Sequence, residues 1–131
     1  MISLGTGLAV FFGGMLGGIA RFALARWIDT RLGPDFPWGT LAVNLSGALA
    51  AGLLAGYLVG LPGPEDEPGW LWFLGLVGFL GSYTTVSAFS LQALELAREG
   101  RMGAVAKYVS ASLAGCLFAA GAGLLAGGAF Q

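Results

Sequence analysis

Histidine is absent from this 131-residue chain, and cysteine occurs once, at Cys116. Without imidazole, the usual general base and metal ligand are missing. A single thiol makes no intrachain disulfide and no multi-cysteine metal site. Charge is nearly as scarce, at 10% of residues, against about a quarter in a soluble domain. That is too little to coat a water-facing surface. Six dispersed Lys and Arg residues also make no basic patch for nucleic acid. With no His, no acidic pair and no activated nucleophile, the sequence offers nothing to an enzyme.

The charges that exist fall into tight groups, separated by charge-free stretches at Met1–Ala20, Phe36–Pro64, Pro68–Leu94 and Tyr108–Gln131. Each is long enough to cross a ~30 Å hydrocarbon core, which takes about 20 helical residues. Their apolar runs are continuous, whereas barrel strands alternate in segments of roughly ten. In lipid every backbone amide needs an internal partner, so these runs are expected to be helices. The fold class is therefore an all-α membrane protein of four transmembrane helices in a single domain, 1–131. The first stretch is expected to remain as a span. Ala23-Leu24-Ala25 resembles a cleavage site, but Met1-Ile2-Ser3 lacks the basic region that a cleaved leader carries.

The helices are placed at about Leu4–Trp27, Trp38–Leu61, Gly69 to Glu95 or beyond, and Ala104–Leu125. Asp29, Arg31 and Gly33-Pro34 belong to the first loop, Pro62-Gly63-Pro64 and the acidic Glu65-Asp66-Glu67 to the second, and Arg98–Met102 to the third. Trp27, Trp38, Trp70 and Trp72 sit near span ends, where aromatic belts form. Arg21, Arg26, Arg31, Arg98, Arg101 and Lys107 all flank the first and third loops. The positive-inside rule puts those loops in the cytoplasm and the termini outside. Small residues stripe the first helix (Gly13-Gly14, Gly17-Gly18) and the fourth (Ala111, Gly115, Ala119, Gly123, Gly127). Such stripes let helix backbones approach closely, within one subunit or between two. Four thin helices enclose a pore poorly, which favours a dimer.

Polar residues stand out against this background. Arg21 lies near the end of helix 1, where it is either functional or snorkels to the interface. Asn44, one turn after Thr40, either joins helices or turns its N–H donors to an anion. The run Gly78–Ser90 combines glycine, serine and the β-branched Thr84, Thr85 and Val86 halfway along its span, a poor helix centre. Helices broken at the midplane free backbone groups that bind ions in transport proteins. Tyr108 and Ser112 share a face of helix 4, as a polar track or as hydroxyls bonded to their own helix.

Three blocks of this sequence resemble the Fluc (CrcB) family of fluoride channels: Gly13 to Arg21, Gly39 to Gly47, and Gly78 to Phe89. The resemblance implies a dual-pore channel of two antiparallel subunits in a bacterial-type inner membrane, with passive fluoride exit lowering cytoplasmic toxicity. It implies a structural, untransported sodium ion at the dimer centre, held by carbonyls matching Gly81 and Thr84. It also implies a fluoride path lined by Asn44, Ser87, Phe89, Tyr108, Ser112, Arg21 and Thr40. Where the family pattern has a first box phenylalanine, this chain has Val86. That departure and the one-sided loop charge suggest pairing with an unlike, oppositely oriented homologous subunit. The rival readings are a non-conducting scaffold subunit and a small four-helix multidrug exporter, the latter disfavoured because no carboxylate lies in a central span.

Overall fold

The computed structural model describes residues 3–59 and 69–129. Ser3 opens the first helix by accepting the Thr6 N–H at 3.1 Å, the usual cap for an unpaired first-turn donor. Helix α1 then runs over Leu4–Leu32, past the expected end at Trp27, so Asp29 and Arg31 are helical. No breaker precedes Gly33, whose φ of 88° ends the helix while its N–H bonds the Asp29 carbonyl at 3.0 Å. Only glycine enters that region freely, and Pro34 cannot continue the helix. In the added turn, the Arg31 guanidinium sits 4.7 Å from the centre of the Trp27 ring.

Helix α2 spans Trp38–Val59. Its first turn is capped from outside, by the Asp29 carboxylate accepting the Gly39 N–H at 2.7 Å. The expected stop at Pro62-Gly63-Pro64 and the acidic second loop lie outside the described residues. The third span begins as a π-helical segment, Trp72–Leu80, whose turns are wider than those of an α-helix. One α turn follows, α3 at Gly81–Tyr83. Thr84 (φ −76°, ψ 157°) and Thr85 (φ −151°, ψ 122°) are extended, and α4 resumes at Val86–Arg98. The expected break is therefore present and two residues long. After a turn at Gly100 (φ 74°), α5 runs over Met102–Gly128. These segments make four spans long and apolar enough to cross a membrane.

Glycine decides how closely the spans pack. Gly52 and Gly56 of α2 face α5 so closely that an added Cβ would strike the carbonyls of Ala120 and Leu124. Gly123 and Gly127 of α5 return the contact against the Leu49 and Leu53 carbonyls. Gly13 and Gly17 of α1 press likewise on the backbone of Leu74 and Phe79 in the π-helical segment. These glycines thus pack within the chain, by the close backbone approach small residues allow in lipid. Large apolar side chains instead point outward, Phe118 being 80% and Leu117 76% exposed. The Arg101 guanidinium donates to the Asp35 carbonyl at 2.6 Å, which joins the first and third loops at one end of the bundle.

Candidate functional site

Breaking a helix inside an apolar bundle strands backbone groups, and each needs a partner. The Leu80 carbonyl accepts both the Thr84 N–H and the Thr84 hydroxyl, each at 3.0 Å. The Thr85 N–H would reach the Gly81 carbonyl in a continuous helix. Here it donates to Asn44 Oδ1 at 2.8 Å, while Asn44 Nδ2 donates to the Thr85 carbonyl at 2.9 Å. One side-chain amide therefore pairs with Thr85 as a neighbouring strand would. Thr85 Oγ1 accepts the Ala88 N–H at 3.1 Å and so caps α4. The same oxygen lies 3.1 Å from Ser87 Oγ. Just before the break, the Tyr83 hydroxyl bonds Ser46 Oγ at 2.9 Å and its ring stacks on Phe79.

Two clefts flank this junction. The first, about 540 Å³, is lined by Asn44, Gly81, Thr84, Val86, Phe89 and Ser112, with apolar walls. The second, about 440 Å³, holds Arg21, Thr40 and Ser87. Thr85 borders both. The residues singled out in the sequence are thus split between two sides of one helix break. Tyr108 reaches neither. It is fully buried between Phe36 and Phe89, with ring centroids 5.6 and 5.2 Å away. Its phenol donates to Gln92 Oε1 at 3.0 Å, so its proton is already committed.

The polar groups differ in what they have left to offer. Ser112 is 6% exposed, and its hydroxyl has no partner among the described residues. Buried hydroxyls are nearly always paired, so this one is notable at the wall of a cleft. Arg21 is half-buried and has no hydrogen bond or ion pair among the described residues. Asn44, by contrast, spends one donor and one acceptor on Thr85, which joins the helices and leaves one N–H. Val86 is 77% exposed at the first cleft. No cluster of three or more His, Cys, Asp or Glu occurs among the described residues. The oxygens at the break are backbone carbonyls and hydroxyls.

Two residues of this site escape a reading of the sequence for chemistry. Thr85 carries the normal cap signature, a Thr directly before a helical run, and is legible on that ground. Gln92 meets Tyr108 across 16 positions, and no local pattern announces it. Gln92 also borders a third cleft of about 460 Å³ at the joined-loop end, with Asp29, Asp35, Glu95, Glu99 and Arg101.

The family model described as "CrcB-like protein, Camphor Resistance (CrcB)" matches residues 8–124. The chain is 44% identical over 119 residues to the fluoride-specific ion channel FluC 2 of Rhodopseudomonas palustris (strain BisB18), covering 91% of this chain and 90% of that one. It is 42% identical over 118 residues to the fluoride-specific ion channel FluC of Anaeromyxobacter sp. (strain K), covering 90% and 91%. With the FluC of Rhizobium meliloti (strain 1021) the identity is 41% over 117 residues, covering 89% and 91%.

Proposed function

The chain belongs to the CrcB family, and on that premise we propose that it is a subunit of a fluoride-specific channel, not an enzyme, that lets fluoride leave the cell passively. The observation that carries the reading is the unpaired, buried Ser112 hydroxyl on the wall it shares with Phe89, beside a helix break. Fluoride is small and strongly hydrated, so a pore must replace its water with good donors. Ser112 has a free O–H, Asn44 retains one N–H, and Ser87 and Arg21 supply donors in the second cleft. The Phe89 edge carries positive quadrupole character toward an anion. The apolar remainder of the wall gives a larger, weakly bonding anion such as chloride nothing in exchange for its hydration.

The family relation also implies a structural sodium ion. Gly81 and Thr84 are the residues that would hold it, since the Gly81 carbonyl has lost its helical donor to Asn44. Bound there, the ion supplies positive charge and ties the ends of the break. Both residues border the first cleft, so a second, antiparallel subunit laid over this face would enclose the ion together with the Ser112–Phe89 wall. The six basic residues flanking the first and third loops orient those loops to the cytoplasm and the termini outward.

Val86 favours a second reading of the assembly. A 77% exposed valine at the cleft has no aromatic edge to offer. An unlike, oppositely oriented subunit would then supply the missing ring, and this chain acts partly as scaffold. A proton-coupled multidrug exporter is displaced by the family relation.

The test is efflux from liposomes holding the chain alone, or together with an oppositely oriented homologous subunit, with fluoride compared to chloride. Fluoride efflux without chloride efflux is expected. Efflux in neither preparation, or equal passage of both anions, overturns the channel reading. Robust fluoride efflux by the chain alone, as a stable dimer, overturns the unlike pair while leaving the channel intact.

A further inference from the structure

The Thr85 hydroxyl is tightly held at the break. Its residue is 8% exposed, and its backbone is held on both sides by Asn44. Its oxygen is fixed in place by the Ala88 N–H it accepts. A hydroxyl has one proton and two lone pairs, so after capping α4 Thr85 still has its proton to give. Among the described residues its one other hydrogen-bond partner is Ser87 Oγ, at 3.1 Å, where either oxygen can be the donor. Ser87 is exposed and lies in the cleft that also holds Arg21. The direction of this one hydrogen bond therefore decides what Ser87 presents. If Ser87 donates to Thr85, it turns lone pairs to the cleft. If Thr85 donates to Ser87, the Ser87 O–H is free.

We propose that Thr85 is a positioning residue for fluoride: by donating to Ser87 Oγ, it turns the Ser87 O–H toward an anion in the Arg21-lined cleft. The proposal rests on the reading of the chain as a fluoride channel. An arriving anion selects the direction Thr85 to Ser87 to anion, because a bond to a charged acceptor is the stronger one and a chain of aligned hydroxyls polarises each member. Arg21, which has no partner among the described residues, and the start of α4 add positive character to this cleft. Thr85 itself never touches the ion. No covalent bond is made or broken, since two hydroxyls only rotate.

The test uses the full chain in whichever liposome preparation conducts, driven by a sodium fluoride gradient, with folding checked by size exclusion in detergent. Thr85→Val keeps the shape but removes the proton, and fluoride efflux is expected to fall about tenfold. Ser87→Ala should fall by a similar factor. The double variant should fall no further than either single one, because both act through one bond. Thr85→Ser keeps the hydroxyl and should return efflux to within about twofold of the parent chain. If Thr85 acts only as the α4 cap, Ser87→Ala leaves efflux unchanged or adds its loss to that of Thr85→Val, and either result overturns the proposal. Unchanged efflux in Thr85→Val, or failure of Thr85→Ser to rescue it, overturns it too. If the parent chain conducts in neither preparation, the channel reading itself fails, a result distinct from all of these.

Discussion

Helix α2 is held in two different ways along its length. Toward α5 it presents Gly52 and Gly56, and the two backbones meet with no side chain between them. Toward the third span it presents Asn44, whose amide replaces the hydrogen bonds that the break removes. The glycine seam is apolar, and its strength is the sum of many weak contacts at short range. The asparagine junction is polar, depends on two bonds, and has a cleft on either side. A membrane protein without a hydrophobic drive between helices needs the first kind of contact for rigidity. It can tolerate the second where the stranded backbone groups find partners, as the Thr84 N–H and the Thr85 N–H and carbonyl do. The rigid seam thus allows the irregular junction to keep one shape.

The comparison is tested most severely at Asn44. Asn44→Leu leaves the Thr85 N–H and carbonyl unpaired in an apolar bundle, costing about 2–6 kcal/mol at roughly 1–3 per group. Thermal unfolding in detergent should show that loss, together with collapse of fluoride efflux. Asn44→Asp keeps the acceptor for the Thr85 N–H but loses the donor, and should fall between the two. If Asn44→Leu unfolds at the same temperature as the parent chain, the amide does not hold the break.

A smaller effect is expected at the seam. In Gly52→Ala the new methyl would meet the Ala120 carbonyl and lie 2.9 Å from the Leu124 nitrogen. The helices must separate, at about 1–3 kcal/mol by the usual cost of overpacking. Unfolding temperature should drop while the ratio of fluoride to chloride efflux stays the same. A changed ratio would show that seam and junction are not separable.

Ser112→Ala should shift stability little, and with the opposite sign. Removing a buried hydroxyl with no partner leaves the fold unchanged or stabilises it by up to about 1–3 kcal/mol. Fluoride efflux should nevertheless fall, because a donor is lost from the cleft wall. A destabilised Ser112→Ala with normal efflux would mean that the hydroxyl serves packing rather than passage.

Much of this architecture is legible in the sequence. The four spans follow from the spacing of charges, and the break follows from Gly78 to Ser90, because β-branched and glycine residues in succession disfavour a helix locally. The end of α1 is not legible in the same way, since Asp29 and Arg31 read as loop residues. Asp29 caps α2 from ten positions away, beyond a local window, and Arg31 stacks on Trp27 one turn back, a pairing that exists only once the helix is known to continue. The stripe on α5 is visible as a stripe, but not whether it faces a neighbour in the same chain. Tyr108 and Ser112 look like equals, one turn apart. The fold provides one with a partner in Gln92 and leaves the other without one among the described residues.

That the chain crosses a membrane as four helices, roughly where each span lies, and where the third is weak are dictated by the sequence. Those properties depend on hydrophobic length, charge position and local backbone preference, each written along the chain. Which polar groups remain free is a matter of tertiary structure alone. A hydrogen bond is used up by whatever lies within about 3 Å of it, and the nearest partner of Asn44 is 41 positions away.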